Sequence, residues 1–464
     1  MALLEQMGNA WRIRELRRKM LITLGLLSLC RVGAFVPLPG IDMVALQDYF
    51  KGWGGGVLGL LDLFTGGALS NGAVFGLGIM PYITASIIFT LLANVIPQLE
   101  QLRKEGAAGQ RKLNQYMRLT TVFICLFQGT IILRTLLAQF GGAGVVSEAV
   151  TTSWLGMAGF LLTGTVLLTC GTLFLMWIGE QIDQHGIGNG ISLIITVNIL
   201  ARLPVAIRRL NWQITNEANQ QNAILKVILL LGLFVAIVAA IVYITRGERR
   251  IPVQQQKHVR GPRVYGGQKH YLPLRVNTAG VMPIIFASVL LQFPTTIATW
   301  ASARSTQGSL WHSLFTAIKD AFTPSKQMPL PYIVAYGMLI FFFCYFWTAV
   351  VFNPRDMSES LQSYGSFIPG IRPGRRTADY LEGIMNRVTL AGAFFLLLIA
   401  LMPMFVMAGL GVGWGVAGFL GGTSILIVVG VTLDVVRRIN DHLEMRRYTG
   451  FAAGTGGRRR SRRR

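Results

Sequence analysis

The sequence predicts an all-α polytopic membrane protein of about ten spanning helices around an internal cavity, and three observations carry that prediction. The first is composition: 52% of the 464 residues are hydrophobic, only 14% are charged, and the mean hydropathy is +0.51. A soluble chain of that size needs more polar surface. The second is that ten apolar runs approach or exceed the roughly 20 residues a helix needs to cross a bilayer. The third is the stretch Leu58 to Gln101, whose parts disagree about crossing. Leu58 to Phe64 is apolar enough for membrane depth but too short to span. Gly66 and Gly67 then break any helix, and Ser70, Asn71 and Gly72 supply turn chemistry. Only from Val74 does a run of spanning length begin, with Pro81 in its first half. Irregular backbone survives in hydrocarbon only where protein buries it or water lines it. The stretch therefore predicts a cavity with a short non-spanning segment packed into it.

Taken in order, Trp11 to Lys19 carries five Lys/Arg and one acid directly ahead of the apolar run Met20 to Leu38. No small-residue cleavage pattern follows, so this reads as an uncleaved first span, interrupted by Arg31. Further spans are expected at Val74–Ile96, Leu119–Phe140, Trp154–Ile178, Ile191–Ile207, Ile224–Tyr243, Val281–Trp300, Pro331–Phe352, Val388–Leu410 and Gly415–Val436. The fifth is the least regular, holding Asn198, Arg202 and Pro204, and the seventh holds Pro283 and Pro294. All four cysteines fall in apolar runs and read as small core residues.

With the N-terminus inside, 33 of the 43 Lys/Arg fall on the cytoplasmic side of this topology and 8 outside, with Arg31 and Arg134 in spans. That asymmetry fixes the expected orientation. The net charge of +23 is therefore concentrated on one face. Residues 246–275 hold eight Lys/Arg against Glu248 alone, with β-branched and aromatic residues interleaved, and read as an ordered basic hairpin. Residues 354–387 are punctuated by prolines and glycines around Arg372, Arg375 and Arg376. Topology needs only a few basic residues near span ends, so two long basic loops point to a docking surface for an acidic partner, ribosomal RNA or an acidic motor protein. The tail GGRRRSRRR reads as a disordered basic segment that could contact anionic lipid, RNA or nothing specific.

Motifs for chemistry do not occur: no H-E-x-x-H, no G-x-S-x-G and no P-loop, and none of the five histidines lies well inside a span. No carboxylate sits in mid-span, where an ion-coupled pump keeps one. Asp62 and Asp434 are expected to be wet. The chain is expected to catalyse nothing by itself and to hold no cofactor or metal. A secondary transporter with inverted repeats is the main rival, but it would want intramembrane charge and has no use for large basic loops. A scaffold without a pore leaves the non-spanning segment unexplained.

The segments GALSNGAVFGLGIMPYITASII, LRKEGAAGQRKLNQYMR, FLMWIGEQIDQHGIGNGISLII, RRIPVQQQKHVRGPRVYGGQKHYLPLRVNTAGVMPIIFAS, FNPRDMSESL, FIPGIRPG and GGTSILIVV resemble the SecY family, the channel subunit of the protein-conducting translocon. The resemblance runs from Arg12 to about Asp434 in the family's order and spacing. It implies two inverted-repeat halves around a central pore, opening sideways to lipid between spans two and seven. These are residues 20–207 with spans one to five and 208–436 with spans six to ten, flanked by the basic N-terminus 1–19 and the basic tail 437–464. It implies a plug over 58–70, namely Leu58, Leu60, Leu61, Asp62, Leu63, Phe64, Thr65, Gly66, Gly67, Ala68, Leu69 and Ser70. Motif by motif, the constriction ring falls on Ile79, Ile83, Ile195, Ile285 and Ile427, and the lateral gate on Thr84, Gln128 and Ser288. Arg260, Arg263, Arg372 and Arg375 are the expected docking residues. The implied partners are SecE-like and SecG-like small membrane subunits, the SecA ATPase, the ribosome, signal sequences and nascent polypeptides, with anionic lipid at the tail. The implied location is a bacterial plasma membrane ahead of a thylakoid one, with both termini cytoplasmic.

Overall fold

A computed structural model describes residues 13–52, 57–140, 146, 153–215, 220–256, 258–260, 263–265, 269–305, 309–322, 329–410, 414–420 and 422–458. The chain divides into two compact units, residues 1–208 with 427–464, and residues 209–426.

The first unit opens with α1 (Arg14–Gly33), α2 (Met43–Gly52) and α3 (Val57–Thr65). Asp42 starts α2 by accepting the Val44 and Ala45 amides at 2.8 and 3.3 Å, a side-chain cap on otherwise orphaned donors. Turns occupy residues 66–79 before α4 (Met80–Val95). The expected span from Val74 is corrected here. Gly78 takes φ +59, so the chain is still turning at that point, and Pro81 stands in the first turn of α4, where its missing N–H costs nothing. Pro97 ends α4 and opens α5 (Pro97–Lys104), the two axes bent by 101°. The long helices α6 (Ala107–Phe140) and α7 (Trp154–His185) each run past the apolar limits read from sequence. Polar helix formers such as RKLNQYMR extend them beyond bilayer depth. The fifth span is two helices, α8 (Gly190–Ala201), capped by Asn189, and α9 (Leu203–Thr215), with Arg202 at the break.

The second unit contains α10 (Gln220–Arg246), α11 (Met282–Arg304), α12 (Leu310–Phe322), α13 (Leu330–Val351), α14 (Pro354–Ser363), α15 (Arg375–Leu410) and α16 (Trp414–Leu420). Its strands are β1 (Glu248–Gln255), β2 (His258–Arg260), β3 (Arg263–Tyr265), β4 (Lys269–Arg275) and β5 (Ser366–Phe367). The basic loop is indeed paired. β1 runs antiparallel to β4 from Glu248↔Arg275 to Gln254↔Lys269, β5 adds to the other edge of β1, and β2 pairs with β3. Ile251 and Val253 alternate inward from β1 and meet Leu274, Ile368, Leu381 and Met385 in a small core.

The last helix, α17 (Gly422–Arg458), begins in the second unit and belongs to the first from Ile427. A single run of spanning length, Val416–Met445, covers the expected span Gly415–Val436, and at Gly422 a Cβ would strike the Ile399 carbonyl. The helix then continues well past Val436 to Arg458, with Asp434 and Arg438 paired one turn apart at 3.0 Å. Residues 459–464 and 1–12 lie outside the described residues.

Among the described residues seven helices are long and apolar enough to cross a membrane, and the bent pair α4–α5 makes an eighth. The apolar helices α1 and α11 fill the first and seventh positions, giving a protein of about ten spans. Leu24, Phe123, Leu229 and Phe394 stand exposed on these helices, as lipid-facing side chains do.

Candidate functional site

The site begins at the non-spanning helix α3. Nine residues of helix rise about 13 Å at 1.5 Å per residue, well short of a bilayer core, so the segment sits within a unit instead of crossing it. Leu58 and Leu60 lie on this helix, Leu61 and Leu63 are half-buried, and every residue from Phe64 to Ser70 is buried. Asp62 is only 7% exposed, which corrects the expectation of a wet carboxylate. The reason is a partner far away in sequence: Arg202, at the α8–α9 break, forms an ion pair with it and donates to the Ser70 hydroxyl at 2.8 Å. The Asp62 Oδ1 also accepts the Ser70 amide at 2.8 Å. Arg31 of α1 donates to the Gly66 carbonyl at 3.2 Å, and the Asn198 amide of α8 donates to the Phe64 carbonyl at 3.2 Å.

The two glycines explain how the turn fits. Gly66 and Gly67 take φ +66 and +94, a region costly for residues with a Cβ. A Cβ on Gly66 would lie 2.9 Å from the Asn198 backbone, and one on Gly67 would lie 3.0 Å from the Arg202 guanidinium carbon. The polar residues that looked like irregularities of spans one and five, Arg31, Asn198 and Arg202, are therefore the seat of the short segment. Charge is expensive at membrane depth, so each demanded an internal partner. That demand was the signal available in the sequence, and it did not name the partner.

The isoleucines named above are all at most 6% exposed. Ile79 caps α4, and the Ile83 amide donates to its carbonyl at 3.2 Å, so the two lie one turn apart. Ile195 is on α8 and Ile427 on α17, both in the first unit, while Ile285 is on α11 in the second. Thr84 is buried on α4 and donates to the Met80 carbonyl at 3.0 Å. Gln128 is half-buried on α6. Ser288, on α11, bonds to the Ile284 carbonyl at 2.8 Å and to the Tyr336 hydroxyl at 3.0 Å. In the basic loops, Arg260 and Arg263 are register partners in the β2–β3 pair. Arg372 and Arg375 are exposed. Their loop is pinned, since the Ser358 hydroxyl donates to Gly374 at 2.8 Å and the Thr377 hydroxyl donates to the Arg372 carbonyl at 2.9 Å.

A ten-span protein with a non-spanning helix on a polar seat and an ordered basic loop is a narrow description, and comparison with known proteins decides it. The SecY family model matches residues 73–436. The chain is 41% identical over 435 residues to the protein translocase subunit SecY of Escherichia coli (strain K12), covering 94% of this chain and 93% of that one. The chain belongs to the SecY family. Solved structures agree on the fold. A SecY channel whose plug domain stabilizes the closed state of the translocation channel and maintains a membrane seal aligns with a TM-score of 0.58 at 18% identity, over 92% of both chains. Sec61 in the canine ribosome-channel complex aligns with 0.56 at 16% identity, again over 92% of both. As a SecY-family chain it is a multi-pass membrane protein.

Proposed function

We propose that the chain is the channel subunit of a Sec-type translocase, conducting unfolded polypeptides across a bacterial plasma membrane and releasing hydrophobic segments sideways into lipid. The observation that supports this best is α3 on its seat. A polypeptide in transit needs a wide, low-affinity path that does not leak when idle, and Leu58 to Ser70 is a short, glycine-hinged piece held on its seat by side-chain contacts to Arg31, Asn198 and Arg202. It acts as the plug. Ile79, Ile83, Ile195, Ile285 and Ile427 act as the constriction: branched alkyl groups offer water no hydrogen bonds, so a narrow ring of them dewets, yet yields around a passing side chain of any kind. Thr84, Gln128 and Ser288 line the lateral gate.

Energy comes from partners. The exposed Arg372 and Arg375, with Arg260 and Arg263 on the hairpin, form the cytoplasmic docking face for the ribosome or an acidic ATPase motor of the SecA type. Small SecE-like and SecG-like subunits complete the channel, both termini are cytoplasmic, and the basic C-terminal end contacts anionic lipid. The transporter reading is weaker, since the buried pair described, Asp62 with Arg202, is spent on the seat. The test is single-channel recording in planar bilayers after deletion of Leu61 to Leu69. A plugged pore acquires resting conductance on deletion, and an unchanged resting current would overturn the plug assignment.

A further inference from the structure

A plug must be held firmly enough to seal and loosely enough to leave, and most of its burial here is apolar and non-directional. Directional contacts supplement it: Arg31 to the Gly66 carbonyl, Asn198 to the Phe64 carbonyl, and a triangle around Arg202 that ties two points of the segment together. The Arg202 guanidinium reaches the Asp62 carboxylate near the start of the buried stretch and the Ser70 hydroxyl at its end. Asp62 closes the figure by accepting the Ser70 amide. One side chain at the α8–α9 break thus holds both ends of the segment, so the segment cannot swing out about either end while Arg202 stays paired. We propose that Asp62 and Arg202 are a latch: positioning residues that keep the plug seated and set the threshold at which the channel opens. This rests on the plug reading of Leu58 to Ser70.

The physical case is an asymmetry between dry and wet states. With the plug seated, both side chains are largely out of water, at 10% and 16% exposure, and parting them leaves two uncompensated charges in a poor dielectric. When a polypeptide enters and the cavity hydrates, water solvates each charge separately and that penalty collapses. The latch therefore holds at rest and releases on wetting, without competing with a signal sequence for an apolar surface. Asn198 and Arg31 contact neutral carbonyls of the same stretch and guide it, but neither joins its two ends. Gly67 is what lets the guanidinium lie against the turn.

The test uses the full chain with its small partner subunits in planar bilayers, comparing resting open probability across a mutant cycle. Asp62→Ala and Arg202→Ala are each expected to raise it by about tenfold or more, and the double variant by far less than the product of the two. Arg202→Lys, which keeps the charge, is expected to fall between parent and Arg202→Ala, and it decides the matter if the alanine variant fails to accumulate in the membrane. If the single variants match the parent while deletion of Leu61 to Leu69 leaks, the latch is wrong and the plug stands. Effects that simply multiply in the double variant also overturn the latch. If the deletion itself does not leak, plug and latch fall together.

Discussion

The polar seat in the first unit and the basic loops in the second use the same residue type in opposite ways. Arg31 and Arg202 are turned inward, the Arg31 guanidinium donating to the Gly66 carbonyl and the Arg202 guanidinium reaching Asp62 and Ser70. Arg372 and Arg375 point outward from a loop whose own stability comes from beneath, where Ile251, Val253, Leu274, Ile368, Leu381 and Met385 pack together. An arginine whose partner is already inside the protein acts on conformation. One held out on the surface by a folded scaffold acts on something else. Net charge alone cannot separate these roles, whereas burial and partner can.

The sharpest way to break the contrast is to remove the scaffold without touching a charge. Leu381 is fully buried, and Leu381→Ala should cost about 2–5 kcal/mol in the small core beneath the strands. Limited proteolysis should then nick residues 246–275 faster, and transport driven by a cytoplasmic partner should fall although every arginine remains. If the hairpin stays as resistant as in the parent, the docking face does not depend on that core.

Next in size is the charge itself. Arg372→Glu sets like charge against an acidic partner and should cut motor-driven transport by about 100-fold or more in proteoliposomes, with insertion of the protein into the membrane unaffected. Its effect on folding should stay within about 0.5 kcal/mol, because the side chain is exposed. Undiminished transport of a secretory precursor would remove Arg372 from the docking face.

The two regions also differ in how far their sequences reveal them. The hairpin was legible because strand alternation and turn residues are local, and Ile251 with Val253 carries the inward face by itself. The seat was only half legible. Runs of apolar residues located the spans, and Gly66 and Gly67 marked the break, but Ser70 meets Arg202 across 132 residues, and no local pattern encodes that pairing. The same limit misplaced the start of the second span. Hydropathy counts Val74 to Ile79 as membrane-depth residues, while the positive φ of Gly78 keeps them in turns. Helix ends were missed in the other direction, since α6 and α17 continue through polar residues that favour helix as strongly as apolar ones do.

Between charge and hydrogen bond in magnitude lies the constriction. Replacing Ile83 and Ile285 together with Asn gives water hydrogen-bonding groups where none existed, and should raise resting ion leak about tenfold and relax the requirement for a good signal sequence. A leak in this variant that persists when Asp62 and Arg202 are intact would show that seat and ring seal independently. A double variant as tight and as selective as its parent would remove these two residues from the ring.

The smallest effect is expected at the lateral gate. Thr84 and Ser288 each already have a hydrogen bond within their own unit, Thr84 to Met80 and Ser288 to Ile284 and Tyr336. Any bond they add across a seam is therefore an extra lone-pair contact worth about 1 kcal/mol, roughly a fivefold change in gate equilibrium. That is a suitable strength for a gate that a hydrophobic segment must displace, and much weaker than a buried ion pair. Thr84→Ala should accordingly lower the barrier to signal insertion only slightly, whereas covalent closure should block it. Cysteines placed at Thr84 and Ser288 should crosslink in the resting channel, stop signal insertion when oxidised, and restore it when reduced. If the pair never crosslinks while both single variants accumulate and transport normally, the two side chains do not face one seam, and the gate must be sought on other faces of α4 and α11.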